Sequence, residues 1–291
     1  MTVSSCTAIN GAGVEYTEFS CLYPVLGKTY MDWEKYYDPI PVLNWMQTMN
    51  ILPISAIVAY CALCIIGRKV MASKEARKWR KYLAVWNFSL SLFSWIGAFR
   101  TAPQLLHNLS TMSLRDNLCQ DPRMTYGSGS TGLWVQLFVL SKFPELVDTL
   151  FIVMQKKKLI FLHWYHHITV LAYCWHSYVS VSPSGLFFVV MNYSVHAIMY
   201  GYYFLMAVKM KPKWLSAIFI TTAQISQMVV GVLVTIFAFY YYKTESNCMI
   251  QKENNIAAFL MYGSYLFLFL QFFIGRYFTV KATKTPAKKT L

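Results

Sequence analysis

Four stretches of this 291-residue chain gather side chains that can do chemistry. His163, His166 and His167 fall in the run Phe161-Leu162-His163-Trp164-Tyr165-His166-His167, an arc of about 100° on a helix. One histidine on an apolar helix is ordinary packing; three on one face ask for a function. His196 adds a fourth, with Asn192 one turn earlier and Met199, Tyr200 and Tyr203 following it. Lys142, Glu145 and Asp148 recur at steps of three, a stripe about 120° wide, and Pro144 among them predicts a kink. Thr221, Gln224 and Gln227 repeat the step, although amides in such helices commonly serve as interhelical glue.

Two chemistries suit these residues. Clustered imidazoles are the usual ligands of transition metals. The H-x-x-H-H spacing also occurs in membrane di-iron desaturases and hydroxylases. Those enzymes need more histidines than the six present here, and His107 and His176 lie away from the cluster. A single metal on His163, His166, His167 and His196 stays open. Alternatively, a neutral imidazole in a poorly hydrated bundle acts as a general base or as a nucleophile toward an acyl carbon. Cys174, about 10 Å further along the same helix, is a second candidate nucleophile.

The elements that must hold these residues are membrane helices. The chain is 56% hydrophobic and 13% charged, with mean hydropathy +0.39, too few charges to cover a soluble surface and too apolar for disorder. Seven apolar stretches of about 20 residues run near 45–66, 82–101, 133–154, 159–178, 185–208, 214–242 and 256–279. No basic, apolar leader opens the chain, so a cleavable signal peptide is not expected. The third stretch carries Lys142, Glu145 and Asp148, whose insertion unpaired would cost about 8–10 kcal/mol in all. They must be paired or solvated, as an internal salt bridge that fixes packing or as the polar wall of a tunnel.

The net charge of +14 is the remaining oddity. Eighteen of the 26 Lys/Arg lie in 67–81, 155–158, 209–213 and 276–291, alternate loops of a seven-span chain. The positive-inside rule then puts the C-terminus in the cytosol and residues 1–44 in the lumen as an N-terminal arm. No single basic patch is left for nucleic acid. The basic face suits anionic headgroups or a phosphate-bearing ligand, with Lys209, Lys211, Lys213, Arg276 and Lys281 as candidates. Cys119 and Cys248 fall in the two long lumenal loops, an oxidising space, and are expected to form a disulfide, whereas Cys61 and Cys64 inside the first span read as packing. Asn108-Leu109-Ser110 is a lumenal glycosylation sequon. Lys288 and Lys289, in a basic tail over 280–291, resemble the dilysine signal that returns membrane proteins to the endoplasmic reticulum.

Lys142-x-x-Glu145-x-x-Asp148-Thr149, His163-x-x-His166-His167, His196-x-x-Met199-Tyr200-x-Tyr202-Tyr203 and Thr221-x-x-Gln224-x-x-Gln227, in this order, resemble the four motifs of the very-long-chain fatty acid elongases, the ELO/ELOVL family. The resemblance implies an all-α polytopic fold in which six of seven transmembrane helices surround a tunnel within residues 45–279. It implies a 3-ketoacyl-CoA synthase of the endoplasmic reticulum, condensing long-chain acyl-CoA with malonyl-CoA as substrates and needing no cofactor. The other enzymes of the elongation cycle, membrane lipid and a second copy of the chain are the partners it suggests. By the same resemblance His166 attacks the thioester and His196 faces it as acid, base or orienting partner. His163 and His167 complete the catalytic set. Lys142, Glu145, Asp148, Asn192, Tyr200, Gln224, Gln227 and Arg276 bind substrate. The Phe161–His167 form, with Trp164, resembles members that extend saturated and monounsaturated chains. The competing reading is a metal-dependent lipid oxidoreductase built on the same histidines.

Overall fold

A computed structural model describes residues 6–278. Its long helices are α1 (Ile40–Thr48), α2 (Ile51–Ala62, continued through a π-helical turn at Leu63–Gly67 and by Arg68–Ala72), α3 (Arg80–Thr111), α4 (Gly129–Glu145), α5 (Val147–Met154), α6 (Phe161–Val179), α7 (Gly185–Val208), α8 (Ala217–Thr244) and α9 (Lys252–Tyr277). Four are long and apolar enough to cross a membrane: the α2 run Ile51–Ala72, α3, α8 and α9. The other long segments, α4 with α5, α6 and α7, hold the histidines and the Lys142–Asp148 charges. The histidines lower the hydropathy of α6 and α7, whereas the break at Leu146 divides the α4–α5 run into helices of 17 and 8 residues. The chain is an integral membrane protein.

Small residues let the helices approach closely. Gly97 of α3 lies under the Tyr193 ring of α7, where a Cβ would come within 2.3 Å of it. Ser91 Oγ donates to the Ala197 carbonyl at 2.8 Å across the same pair. Gly231 of α8 accommodates Tyr262 of α9 in the same way.

Hydrogen bonds between loops define the two ends of the bundle. At one end the Arg77 N–H donates to the Met154 carbonyl, Lys156 Nζ to the carbonyls of Ala72 and Lys74, and Arg80 Nε to Ala207 O. The Lys156 and Arg80 cations thus meet carbonyls at the C-terminal ends of α2 and α7, where the last carbonyls have no intrahelical partner. At the other end Cys119 and Cys248 are joined by a disulfide, and Gln251 Nε2 reaches the Ser180 carbonyl.

The N-terminal arm is folded, which its mixed composition did not announce. A hairpin of β1 (Thr7–Ile9) and β2 (Glu15–Thr17) pairs Ala8 with Tyr16, the one departure among the described residues from an all-helical chain. Cys6 is bonded to Cys21 behind it, a pairing the sequence reading missed. Glu18 accepts from Ser130 N and Oγ, and Tyr37 donates to Gln136 at 2.5 Å. Glu34, 1% exposed, takes Arg100 Nε at 2.8 Å and Trp134 Nε1 at 2.7 Å. The arm is therefore fastened to α3 and α4 by buried polar bonds.

Burial pushes the Glu34 carboxyl up, but the Arg100 guanidinium, the Met31 N–H and the Trp134 indole outweigh it and hold the group below the usual carboxylate value of 4.5. A depressed native pKa stabilises the fold above the unfolded-state pKa, and that contribution is lost as pH falls through the native one. Docking of the arm is expected to weaken on acidification below about pH 4.5. Thermal unfolding of the wild type should therefore show an acid-side decline that Glu34→Gln lacks, the variant being less stable at neutral pH.

The sequon lies within α3, and the Asn108 side chain is 4% exposed, accepting at Oδ1 from Gln104 Nε2 at 2.8 Å. Lys281, Lys288 and Lys289 lie outside the described residues.

Candidate active site

A cavity of about 800 Å³ runs from the Lys/Arg-capped end into the bundle, within the range of small-molecule sites. His163, His166 and His167 line it from α6, Asn192, His196 and Tyr200 from α7, and Gln224 and Gln227 from α8. Arg276 of α9 lines it near its basic end, with Arg80 and Lys157. These last two were not among the expected site residues. Their signal was positional, since Arg80 begins α3 and Lys157 lies in the basic connection between α5 and α6. Lys209, Lys211 and Lys213 are not on the wall; Lys211 Nζ instead donates to the Leu215 carbonyl at 3.0 Å.

The Lys142–Glu145–Asp148 stripe does not survive as one face. Pro144 lacks the N–H that continues a helix, and the run breaks at Leu146 between α4 and α5. Asp148 reaches the cavity wall, accepting from Trp86 Nε1 and from Tyr200 OH, each at 2.6 Å. Lys142 and Glu145 stand behind the wall, 2% and 4% exposed. Lys142 Nζ donates to Glu145 Oε1 at 2.6 Å and to Asn192 Oδ1 at 3.0 Å. They meet the cavity only through Asn192 and His196. Asn192 Nδ2 lies 3.2 Å from His196 Nε2, and Glu145 Oε1 lies 3.9 Å from His196 Nδ1.

The four histidines are not equivalent. His163 Nε2 is hydrogen-bonded to Thr149 Oγ1 at 2.9 Å, and His196 Nε2 is engaged by Asn192. His167 has a buried Nδ1 without a partner. Among the described residues neither ring nitrogen of His166 carries a hydrogen bond, although its ring packs at 5.1 Å on Tyr265 and at 5.4 Å on His167. A nucleophile or base needs an uncommitted lone pair facing the cavity; His166 has one, and so does His167, whose ring nitrogens likewise carry no hydrogen bond among the described residues. No group of three or more His, Cys, Asp or Glu among the described residues is arranged to hold a metal ion.

The model of the ELO, GNS1/SUR4 family matches residues 45–286. The chain belongs to that family of fatty acid elongases. Very long chain fatty acid elongase 6 of Gallus gallus is 41% identical over 255 residues, covering 87% of this chain and 95% of the relative. The Homo sapiens protein of the same name is 38% identical over 257 residues, 88% and 96% of the two chains. That of Drosophila melanogaster is 42% identical over 224 residues, 75% and 71%. In this elongase the histidine-lined cavity has a basic mouth formed by Arg80, Lys157 and Arg276.

A second, smaller space of about 60 Å³ lies toward the disulfide end, lined by Phe138, Tyr173, Cys174 and Phe188 among others. Cys174 belongs to this space and not to the histidine cavity.

Proposed function

We propose that this elongase is the condensing enzyme of fatty acid elongation, a 3-ketoacyl-CoA synthase acting on long-chain saturated or monounsaturated acyl-CoA and malonyl-CoA. The observation that carries the proposal is the uncommitted His166 imidazole in a cavity that begins among Arg80, Lys157 and Arg276. The acyl-CoA enters with its phosphates at these cations and its thioester at the histidines. A His166 nitrogen attacks the thioester carbonyl, the C–S bond breaks, and CoA leaves as the thiol after taking a proton. Malonyl-CoA then loses CO₂, and its carbanion attacks the acyl-imidazole carbonyl. The C–N bond breaks, giving 3-ketoacyl-CoA and free His166. His196, held by Asn192, orients the acyl group or carries the proton. Asp148, Tyr200, Gln224 and Gln227 line the substrate path.

The chain reads as seven spans in the endoplasmic reticulum membrane, six of them around the tunnel, with arm 1–44 lumenal and tail 280–291 cytosolic. It would work beside the other enzymes of the elongation cycle, as one copy or two. No cofactor enters the scheme. The Trp164-containing histidine segment supports a palmitoyl-like substrate over polyunsaturated ones.

Purified chain given palmitoyl-CoA and labelled malonyl-CoA should release CO₂ and form 3-ketostearoyl-CoA. No product across saturated and monounsaturated C12–C18 acyl-CoAs would overturn the proposal. A charge reversal at the mouth, Arg276→Glu, should raise KM for acyl-CoA about tenfold at low salt, a gap that narrows as ionic strength rises. Lys213→Glu, at the same end but off the cavity wall, is the matched comparison.

A further inference from the structure

We propose that Tyr60, on the helix α2 outside the histidine-bearing elements, is a positioning residue that fixes the imidazole of His163 through the hydroxyl of Thr149. The inference rests on the condensing-enzyme reading and extends its machinery to a helix that contributes nothing to the cavity wall.

Tyr60 is 2% exposed and Thr149 fully buried. Tyr60 OH and Thr149 Oγ1 are 2.7 Å apart, and Thr149 Oγ1 lies 2.9 Å from His163 Nε2. The two bonds form an unbroken relay from α2, through α5, to α6. The Tyr60 ring also rests against His167 at 6.0 Å between centroids. His167 in turn packs on His163 at 4.5 Å. One tyrosine thus restrains two of the three clustered histidines, one through a hydroxyl and the other by ring contact.

The behaviour of the other helical threonines shows why the Tyr60 hydroxyl matters. Thr101, Thr169, Thr221 and Thr244 each turn their hydroxyl back to the carbonyl four residues earlier in their own helix, the common choice for a helical threonine, while Thr131 reaches across to Gln104. Thr149 does not turn back either. Its hydroxyl is drawn across to Tyr60 and His163 instead, at the start of α5 just beyond the Leu146 break. Without the Tyr60 hydroxyl, Thr149 is free to rotate back to its own helix and release His163. An imidazole whose orientation and tautomer are unfixed presents the wrong nitrogen to its neighbours. Loss of positioning by a fraction of an ångström is enough to cost one to two decades in rate.

The test uses full-length protein carrying Tyr60→Phe, Thr149→Val, both together, and Thr149→Ser. Tyr60→Phe keeps the ring on His167 and removes only the hydroxyl. Each of the first two should lower kcat about tenfold with KM for acyl-CoA within about twofold and an unchanged unfolding midpoint. The double variant should be no slower than either single one, as members of one relay are non-additive. Thr149→Ser should recover most of the loss. Wild-type kcat in Tyr60→Phe, additive losses in the pair, or losses that follow the unfolding midpoint would each overturn the relay. Carbethoxylation of His163 by diethyl pyrocarbonate, read by peptide mass without substrate, tests the same geometry independently of turnover. Faster labelling in both single variants supports the relay, and equal labelling in all variants overturns it. An inactive wild type with relay-dependent labelling would remove the condensing-enzyme reading and leave the positioning of His163 standing.

Discussion

His166→Ala is expected to abolish condensation, lowering kcat about 10³-fold or more, while the protein folds as the wild type does. His166 makes ring contacts with Tyr265 and His167 but commits neither ring nitrogen among the described residues, so its removal strands no hydrogen-bond partner. Intact mass after incubation with palmitoyl-CoA alone should show a palmitoyl adduct on the wild type and none on the variant. His196→Ala should behave differently. Its Nε2 is already held by Asn192 at 3.2 Å, so its loss slows the second half-reaction and lets the adduct persist. An adduct that survives in His166→Ala would move the nucleophile to His163 or His167. Normal turnover in that variant would reject covalent catalysis by His166.

Lys142→Met should produce the largest loss of stability in the chain. Lys142 and Glu145 form an ion pair at 2.6 Å with side-chain exposures of 1% and 5%. Removing the cation leaves a carboxylate that has no other counter-ion in contact, and its Oε2 already lacks a hydrogen-bond partner. Breaking one side of a buried pair typically costs about 3–5 kcal/mol, a large share of what holds any domain together. The same change frees Asn192 Oδ1, which takes its bond from Lys142 Nζ at 3.0 Å, so His196 loses its support as well. Unfolding in detergent should begin at markedly lower temperature. Adding Glu145→Gln to Lys142→Met should restore part of the stability and little of the activity, since the Asn192 contact stays lost. Equal stability of Lys142→Met and the wild type would mean that the pair is solvated.

The sequence revealed more of the site than of the scaffold, for physical reasons. Polar side chains in an apolar helix are conspicuous, and their steps of three and four put His163, His166, His167, Asn192 and His196 on one cavity before any coordinates. For Lys142 and Glu145 the sequence left two readings open, and the break at Leu146 just beyond Pro144 separates them from Asp148, leaving them as the internal ion pair. The sequence reads as seven apolar stretches, while four helices among the described residues are long and apolar enough to cross a membrane; histidines lower the hydropathy of α6, and the Leu146 break leaves α4 and α5 short. The arm was opaque. Its stability comes from Glu34 meeting Arg100 and Trp134, pairs about 70 and 100 positions apart that leave no local pattern. Thr149 was visible only as a motif letter; its tie to Tyr60 spans 89 positions.

The order in which the chain is made gives the arm's fastening a further meaning. Its own closure, Cys6 to Cys21, needs only 15 residues of synthesis, so the hairpin can be locked early. Every anchor it docks on arrives later, Arg100 first and Trp134 after it, and Cys119 must wait 129 residues for Cys248. The arm is thus a finished piece awaiting its socket, and the far end of the bundle is sealed covalently only when nearly the whole chain has been translated. A ribosome stalled before Cys248 would hold a nascent chain whose histidines are already in the membrane but whose enclosure is still open, the stage at which quality control has the most apolar interior to recognise.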